Sequence, residues 1–239
     1  MEPVPVGWDY AARIADIKAR IHVAEAACGR AGAGVRLLVA TKAWGPDAAS
    51  AVVRAGGVLV GESRMQELEA KGAALVEAGA KVHVIGQLQR NKAATAVRYA
   101  ACVQTVDSLA LAERLSRLVL EAKRELDVMI QVNVSGEETK AGVEPPAALS
   151  LASDVQALPG LTVTGFMTIG LNSREESRVR EGYARLCEVR DQALIRSERG
   201  SSPLASAWEL SMGMSSDLEW AIAEGATMVR VGTAVMGRR

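Results

Sequence analysis

The stretch "LLVATKAWG", residues 37–45, sets the pattern on which the fold prediction rests. It is an apolar run that ends on Lys42 and then breaks at Gly45-Pro46. An apolar run of this length that stops at a Gly-Pro turn is typical of a buried strand followed by a helix. The lysine is either an ordinary strand terminus or a reactive amine held in place, and the run itself leaves both interpretations open.

Seven further short runs of this kind follow the first predicted strand, and a helical pattern separates each from the next. The predicted strands are residues 35–40, 58–61, 82–86, 102–106, 128–134, 161–167, 208–212 and 228–231. The predicted helices between them are residues 47–55, 64–78, 90–99, 108–124, 145–157, 173–199 and 216–224. Such alternation predicts parallel strands joined by right-handed crossovers.

Eight strands separated by seven helices within 239 residues fit the α/β class and a single closed (β/α)8 TIM barrel. A doubly wound open sheet remains the alternative, because periodicity does not reveal whether a sheet closes. An extra N-terminal helix is predicted at residues 9–28, whose apolar face carries Ile14, Ile17, Ile21 and Ala24. The chain contains no low-complexity linker, so we predict one domain over residues 1–239.

The composition excludes several classes of partner. Lys and Arg together number 28, as do Asp and Glu, so the formal net charge is zero and a nucleic-acid or membrane-surface partner is not expected. The three cysteines show no CxxC spacing, which argues against a disulfide framework or a zinc site. The sequence shows neither a signal-peptide pattern nor an apolar run of roughly 18 residues. We therefore predict a cytoplasmic protein that binds no metal.

Polar residues interrupt several predicted strands at positions that face the barrel interior. Side chains alternate between the helix side and the interior of a barrel. In "MVRVG" this turns Arg230 inward, in "WELSMG" it turns Glu209 and Ser211 inward, and in "MIQVNVS" it does the same for Gln131 and Asn133. A guanidinium in the interior needs a fixed acceptor. A buried Arg230–Glu209 ion pair and a contact of Arg230 with a ligand both remain open.

Two loops near the C-terminus are candidates for binding a phosphate. "LSMGMSSD" (210–217) follows the seventh predicted strand, with Ser215 or Ser216 as the expected N-cap, and "RVGTAVMG" (230–237) follows the eighth. Loops after strands seven and eight frequently bind phosphate in TIM barrels. Closure would place strand eight about 4.8 Å from strand one and so bring Lys42 close to these loops. A ligand with a phosphate and a carbonyl could span them, and pyridoxal 5′-phosphate (PLP) has both.

Seven segments in order resemble the pyridoxal phosphate homeostasis protein family: "VATKAWG", "GESRMQE", "HVIGQLQRNK", "IQVNVSGEETKAG", "GFMTIG", "LSMGMSSDLEWAI" and "MVRVGTAVMG". The resemblance runs from about residue 8 to the C-terminus. It implies the fold of the alanine racemase N-terminal barrel and PLP held as a Schiff base on Lys42. It also implies cofactor contacts by Ser63, Ser211, Met214, Ser215, Arg230, Gly232 and Thr233.

The family pattern also implies roles for these residues. Ser211 and Ser215 would bind the phosphate together with Gly232 and Thr233, and Arg230 would face the pyridine nitrogen. One position departs from the pattern: the family commonly reads Gly-Glu-Asn after the second strand, whereas this chain reads "GES". Ser63 therefore replaces an asparagine that is expected near the cofactor ring.

The sequence is compatible with three functions. The first is an intracellular PLP-binding protein that stores, buffers or delivers the cofactor. An arginine at the ring nitrogen fits this function, because it makes the ring a weaker electron sink. The second is a PLP-dependent amino-acid racemase or lyase. The third is a sugar-phosphate barrel enzyme in which Lys42 traps a carbonyl. The first is preferred, with PLP-dependent apoenzymes as partners, a monomeric state and no catalytic residue assigned.

The remaining polar residues offer few candidates for catalysis. The three tyrosines (Tyr10, Tyr99 and Tyr183) fall in predicted helices, which leaves Lys140, otherwise a solvated loop lysine, as the one candidate for a second base. His83 is a core residue or a general acid, and His22 is predicted at the surface. Lys71 is predicted to pair with Glu67 on a solvated helix face. Gln87, Gln89, Asn91 and Lys92 either close the site or cap a helix.

Overall fold

Eight parallel strands close into a barrel in the computed structural model, which describes residues 8–137 and 140–237. The strands are β1 (Arg36–Ala40), β2 (Leu59–Glu62), β3 (Lys81–Val84), β4 (Cys102–Val106), β5 (Leu126–Gln131), β6 (Leu161–Met167), β7 (Glu209–Ser211) and β8 (Met228–Val231). Each strand pairs with the next along the chain, and β1 pairs with β8, where Leu38 lies opposite Arg230. The predicted TIM barrel is confirmed, and the open sheet is excluded.

Helices surround the barrel and alternate with its strands. They are α1 (Tyr10–Ala27), α2 (Pro46–Arg54), α3 (Met65–Glu77), α4 (Ala93–Tyr99), α5 (Leu109–Glu121), α6 (Pro145–Gln156), α7 (Glu176–Glu198), α8 (Leu218–Ala223) and α9 (Thr233–Met236). A short 3₁₀ turn, Arg90–Lys92, precedes α4. The extra N-terminal helix is present as predicted. Within the described part of the chain, no helix has the length and apolarity that crossing a membrane requires.

The main apolar core lies between the strands and the helices that cover them. Residues that point outward from the strands, such as Val39, Val60 and Val229, are fully buried and belong to one cluster with the apolar faces of the helices. Residues that point inward form smaller clusters inside the barrel, one of which contains Cys102, Met129 and Met167. The strand alternation therefore creates an outer core and an inner core, as expected for a filled barrel.

The strand register corrects one prediction about the polar residues inside the barrel. Arg230 and Ser211 are buried in the interior, as expected, but Glu209 forms an ion pair with Arg36 at 2.6 Å. Ser211 lies opposite Met228 in the β7–β8 pairing, and Arg230 N donates to Gly213 O. Arg230 is thus four positions beyond the level of Glu209, or roughly 13 Å along the strand. The predicted Arg230–Glu209 pair is wrong.

Candidate functional site

The residues singled out from the sequence meet at the carboxyl end of the barrel. Lys42 follows β1, Ser63 follows β2, the segment with Met214 and Ser215 follows β7, and Gly232 with Thr233 follows β8. All strands are parallel, so their carboxyl ends share one face. Because β1 and β8 are neighbours, a Cβ added at Gly232 would lie only 3.4 Å from Ala40 O. Residues from the two ends of the sequence therefore adjoin.

Lys42 lies in a tight turn two residues beyond the end of β1. The turn is closed by a hydrogen bond from Trp44 N to Thr41 O at 3.2 Å. Ala43 adopts a left-handed conformation with φ 71°, which is uncommon for a residue with a side chain. The Lys42 side chain is exposed, and no group among the described residues forms a hydrogen bond or ion pair with its Nζ atom. Its amine is therefore accessible to a ligand.

A buried ion pair lies beside this turn and corrects a second prediction. Lys71 is 2% exposed and pairs with the fully buried Glu62 at 2.8 Å. Burial raises the pKa of the Glu62 carboxyl, and the Lys71 ammonium opposes that increase. The i,i+4 contact with Glu67 exists at 3.7 Å, but the solvated face predicted for Lys71 is wrong. Lys71 points from α3 toward backbone carbonyls of the turn. The spacing of residues in the sequence does not predict this contact.

Arg230 is the buried cation of the site. It is 6% exposed, and its NH1 atom donates to Ser211 O at 2.7 Å and to Ser211 Oγ at 2.9 Å. Its NH2 atom donates to Thr168 O at 2.7 Å. A guanidinium has five N–H groups. Two of them, one on NH2 and the one on Nε, thus have no acceptor among the described residues and could bind a ligand acceptor.

A chain of hydrogen bonds continues from Arg230 through the barrel interior. Ser211 Oγ donates to Gln104 Oε1 at 2.7 Å, and Gln104 Nε2 lies 2.8 Å from His83 Nδ1. Burial lowers the pKa of His83 to about 3, so the ring is neutral and its Nδ1 accepts the amide proton. The interpretation of His83 as a core residue is confirmed. Ser211 uses its one proton inside the barrel, and its contact with a phosphate stays a prediction.

The loop between β7 and α8 is organised by Asp217, which the sequence analysis did not single out. Its carboxylate accepts from Met214 N at 2.6 Å and from the Tyr183 hydroxyl at 2.9 Å. Burial and the Asp217 carboxylate raise the pKa of Tyr183. Asp217 is also the N-cap of α8, so the N-cap predicted at Ser215 or Ser216 is wrong. The available signal was an aspartate placed directly before Leu218, the first apolar residue of α8.

The loops after β7 and β8 retain donors that suit a phosphate. The hydroxyls of Ser215 and Thr233 form no hydrogen bond within the described residues, and Thr233 is exposed. The N–H groups of Thr233 and Ala234 begin α9 and so have no acceptor within that helix. Together with Arg230 and Lys42, this face offers phosphate donors, a donor for a ring nitrogen and a free amine. The residues present fit PLP.

The other candidate residues have defined places. Ser63 is half-buried, and a Cβ at Gly86 would overlap its carbonyl, so the loops after β2 and β3 approach closely. Lys140 Nζ donates to Gly170 O at 2.9 Å and pairs with Glu137 at 2.8 Å, which ties together the loops after β5 and β6. The residues exposed at the surface include His22, Gln87, Gln89, Asn91 and Lys92.

Comparisons with known proteins agree with this geometry. Residues 13–239 match the family model "Alanine racemase, N-terminal domain". A pyridoxal phosphate homeostasis protein of Pseudomonas aeruginosa is 40% identical over 96% of this chain and 95% of its own length. The crystal structure of an unknown protein from Bifidobacterium adolescentis superposes with a TM-score of 0.90 at 36% identity over 98% of both chains.

A third relative was solved with the cofactor itself. PipY of Synechococcus elongatus, with PLP bound, is 30% identical, and the match covers 95% of this chain and 100% of that chain with a TM-score of 0.80. The likeness spans nearly the full length in each of these comparisons. It therefore includes both the barrel and the loops at its carboxyl end.

Proposed function

From the premise that this chain belongs to the pyridoxal phosphate homeostasis protein family, which has the alanine racemase N-terminal fold, we propose that it binds PLP. Its function is PLP homeostasis, in which it stores, buffers or delivers the cofactor. A relative with 30% identity was solved with PLP bound, and this supports the assignment. The resemblance found in the sequence and the family matches agree on the cofactor.

The proposal depends most on Arg230, a buried arginine on β8, the strand next to β1. This guanidinium is buried, held by Ser211 and Thr168, and retains two N–H groups without an acceptor among the described residues. The pyridine nitrogen of PLP is an acceptor of the kind these groups lack. Since β8 is the direct neighbour of β1, Lys42 belongs to the same end of the barrel, which supports its proposed contact with the aldehyde of the same ligand.

We propose the following contacts for the rest of the cofactor. Lys42 forms the Schiff base with the aldehyde, and the phosphate lies between the loops after β7 and β8. The residues around the cofactor are Ser63, Ser211, Met214, Ser215, Arg230, Gly232 and Thr233. Ser215 and Thr233 supply free hydroxyls, whereas Ser211 supports Arg230 from below.

The same contacts favour a carrier over an enzyme. Bound PLP supplies an electron sink for carbanion chemistry, and that sink is strong only when the ring nitrogen is protonated. Burial lowers the pKa of Arg230, but a guanidinium is not deprotonated in proteins, so Arg230 donates to this nitrogen and keeps its own proton. Tyr183 donates to Asp217, and Tyr10 lies buried in α1, so neither tyrosine is free to act as a base. These features support storage and delivery.

We further propose the setting in which the protein works. It acts in the cytoplasm as a monomer, in one domain over residues 1–239, and passes PLP to PLP-dependent apoenzymes. An accessible Lys42 suits transfer, because an incoming amine can displace the lysine nitrogen without opening the barrel. The balanced charge of the sequence gives no reason to expect nucleic acid or membranes as partners.

The proposal is tested by locating the covalent link. The purified protein is incubated with PLP, its visible spectrum is recorded, and the complex is reduced with borohydride and digested for peptide mapping. We expect a yellow band that bleaches on reduction and a phosphopyridoxyl mass on the peptide with Lys42. Lys42→Arg should remove the label from that peptide, and Lys18→Arg, at an exposed lysine of α1, should leave it. A label scattered over surface lysines in the wild-type protein would contradict the proposal.

A further inference from the structure

A buried lysine lies directly against the turn that carries Lys42. Lys71, on α3, is 2% exposed. Its ammonium donates to Thr41 O at 2.8 Å and to Trp44 O at 3.0 Å, and it pairs with Glu62 Oε1 at 2.8 Å. The three protons of the ammonium therefore have three acceptors. Two of these acceptors are the first and last carbonyls of the turn around Lys42.

Two carboxylates hold the same turn at other points. Thr41 Oγ1 donates to Glu62, and Ala43 N donates to the Glu67 carboxylate. Ala43 is in the left-handed region, with φ 71°, a conformation that is unfavourable for a residue with a side chain. Charged side chains thus stabilise a turn conformation that its own sequence disfavours. The turn is fixed on both sides of Lys42.

Fold stability alone does not account for this arrangement. The cost of removing both ions from water offsets most of the attraction between the charges of a buried ion pair. Glu62 carries that cost: its Oε2 atom is buried without a hydrogen-bond partner among the described residues. The Lys71 ammonium regains part of its lost hydration through hydrogen bonds to the carbonyls of Thr41 and Trp44. These two residues lie on either side of Lys42 and Ala43 in the turn.

We propose that Lys71 and Glu62 are positioning residues for Lys42, which hold its turn in the orientation from which Nζ reaches the aldehyde of PLP. In the step concerned, the free amine of Lys42 attacks the aldehyde carbon, a C=N bond replaces the C=O bond, and the aldehyde oxygen leaves as water together with the two protons of the amine. No oxidant or reductant is needed. This inference rests on the proposed function, because it concerns how fast Lys42 attaches the cofactor.

The test separates reversible binding of PLP from its attachment. Stopped-flow absorbance at increasing PLP concentration gives a saturation constant for the reversible complex and a limiting first-order constant for attachment. In Glu62→Gln/Lys71→Met both buried charges are removed together, so no unpaired charge remains to unfold the protein. We expect the limiting constant to fall roughly 10- to 100-fold, because small misplacements of a reacting group cost this much. The saturation constant should stay close to the wild-type value, since the phosphate and ring contacts lie elsewhere.

Two further variants complete the experiment. Glu67→Gln weakens the contact to Ala43 N and should lower the limiting constant by a smaller factor. Glu209→Gln makes the same chemical change in the Arg36 ion pair at the opposite end of the barrel, and both constants should stay at wild-type values. A merely structural role would loosen the whole barrel and change both constants together.

The outcomes distinguish this inference from the proposed function. If the wild-type protein carries no label on Lys42, the proposed function fails whatever the variants do. If the wild-type protein is labelled and Glu62→Gln/Lys71→Met attaches PLP at the wild-type rate, the positioning role is overturned. It is also overturned if Glu209→Gln slows attachment as much as the double variant does.

Discussion

At the scale of single residues, the neutral state of His83 orders the polar chain inside the barrel. A neutral Nδ1 accepts from Gln104 Nε2, which leaves Gln104 Oε1 to accept the Ser211 proton. Ser211 Oγ is then left to accept from Arg230. Because every partner in this chain is buried, reversing one amide would leave unpaired polar groups at a cost of about 1–3 kcal/mol each. The orientation of Arg230 therefore depends on a histidine three strands away.

The low pKa of His83 predicts a loss of stability in mild acid. Burial, with smaller contributions from Arg36 and Lys81, lowers this pKa from 6.5 to about 3. As the pH falls below 6.5, His83 becomes protonated in the unfolded chain but stays neutral in the folded protein. The free energy of unfolding therefore decreases. Between pH 7.5 and pH 5.0 we expect this residue to cost on the order of 1–2 kcal/mol of unfolding free energy.

The comparison of two variants isolates that contribution. His83→Gln keeps an acceptor for Gln104 but cannot be protonated, so urea unfolding should show a smaller decrease in stability between the two pH values than in the wild-type protein. His22→Gln is the matched control, because it makes the same replacement at an exposed position. An equal decrease in the wild-type protein and in His83→Gln would refute the assignment of the pH effect to this residue.

At the scale of elements, the loop from β7 to α8 joins the inner core to the candidate phosphate site. Gly213 has φ 89°, and a Cβ there would overlap the Cβ of Ala221. Its carbonyl accepts from Arg230 N at 3.0 Å. The position therefore needs glycine for two reasons, its backbone conformation and the close approach of α8.

Replacing this glycine should cost more than the backbone conformation alone explains. Gly213→Ala is expected to lose about 1–2 kcal/mol for the left-handed conformation and a further 1–3 kcal/mol for the overlap with Ala221. Gly200→Ala, at φ 69° with no atom within 4 Å of the added Cβ, isolates the first cost. Urea unfolding of both variants measures the difference, and equal losses would show that α8 moves aside freely.

At the scale of the whole molecule, the barrel closes on itself, so that residues 8–137 and 140–237 present no open sheet edge for a partner to extend. The large apolar side chains that stay exposed are distributed over different elements. They include Val23 on α1, Val76 on α3, Leu120 on α5, Ile195 on α7 and Trp208 before β7. Scattered single residues of this kind are normal on monomers.

This distribution predicts a monomer in solution. Light scattering coupled to size-exclusion chromatography should give a mass near 25.2 kDa, independent of protein concentration and of added PLP. Every proposed cofactor contact comes from a single chain, so we do not expect PLP binding to promote dimerisation. A mass near twice this value that persists on dilution would be incompatible with the prediction.

The accuracy of the predictions made from the sequence differs between strands, short helices and ion pairs. The strands Cys102–Val106, Leu161–Met167 and Met228–Val231 have the predicted bounds, because their apolar runs end abruptly at turn residues. The helix α9 was missed, since a segment of four residues is too short to show a periodicity. Lys71 was misassigned because its spacing to Glu67 suits a solvated pair equally well.

The sequence by itself determined the alternation of strands and helices, which depends on local periodicity, and its contiguous motifs indicated the family and the cofactor. The closure of the sheet into a barrel was settled only by the pairing of β1 with β8. Only the tertiary structure decided which charges meet. Arg36 pairs with Glu209, and Lys71 with Glu62, because strand register and helix orientation bring together residues that are distant in the chain. Such pairings depend on three-dimensional distances of a few ångströms, which periodicity does not encode.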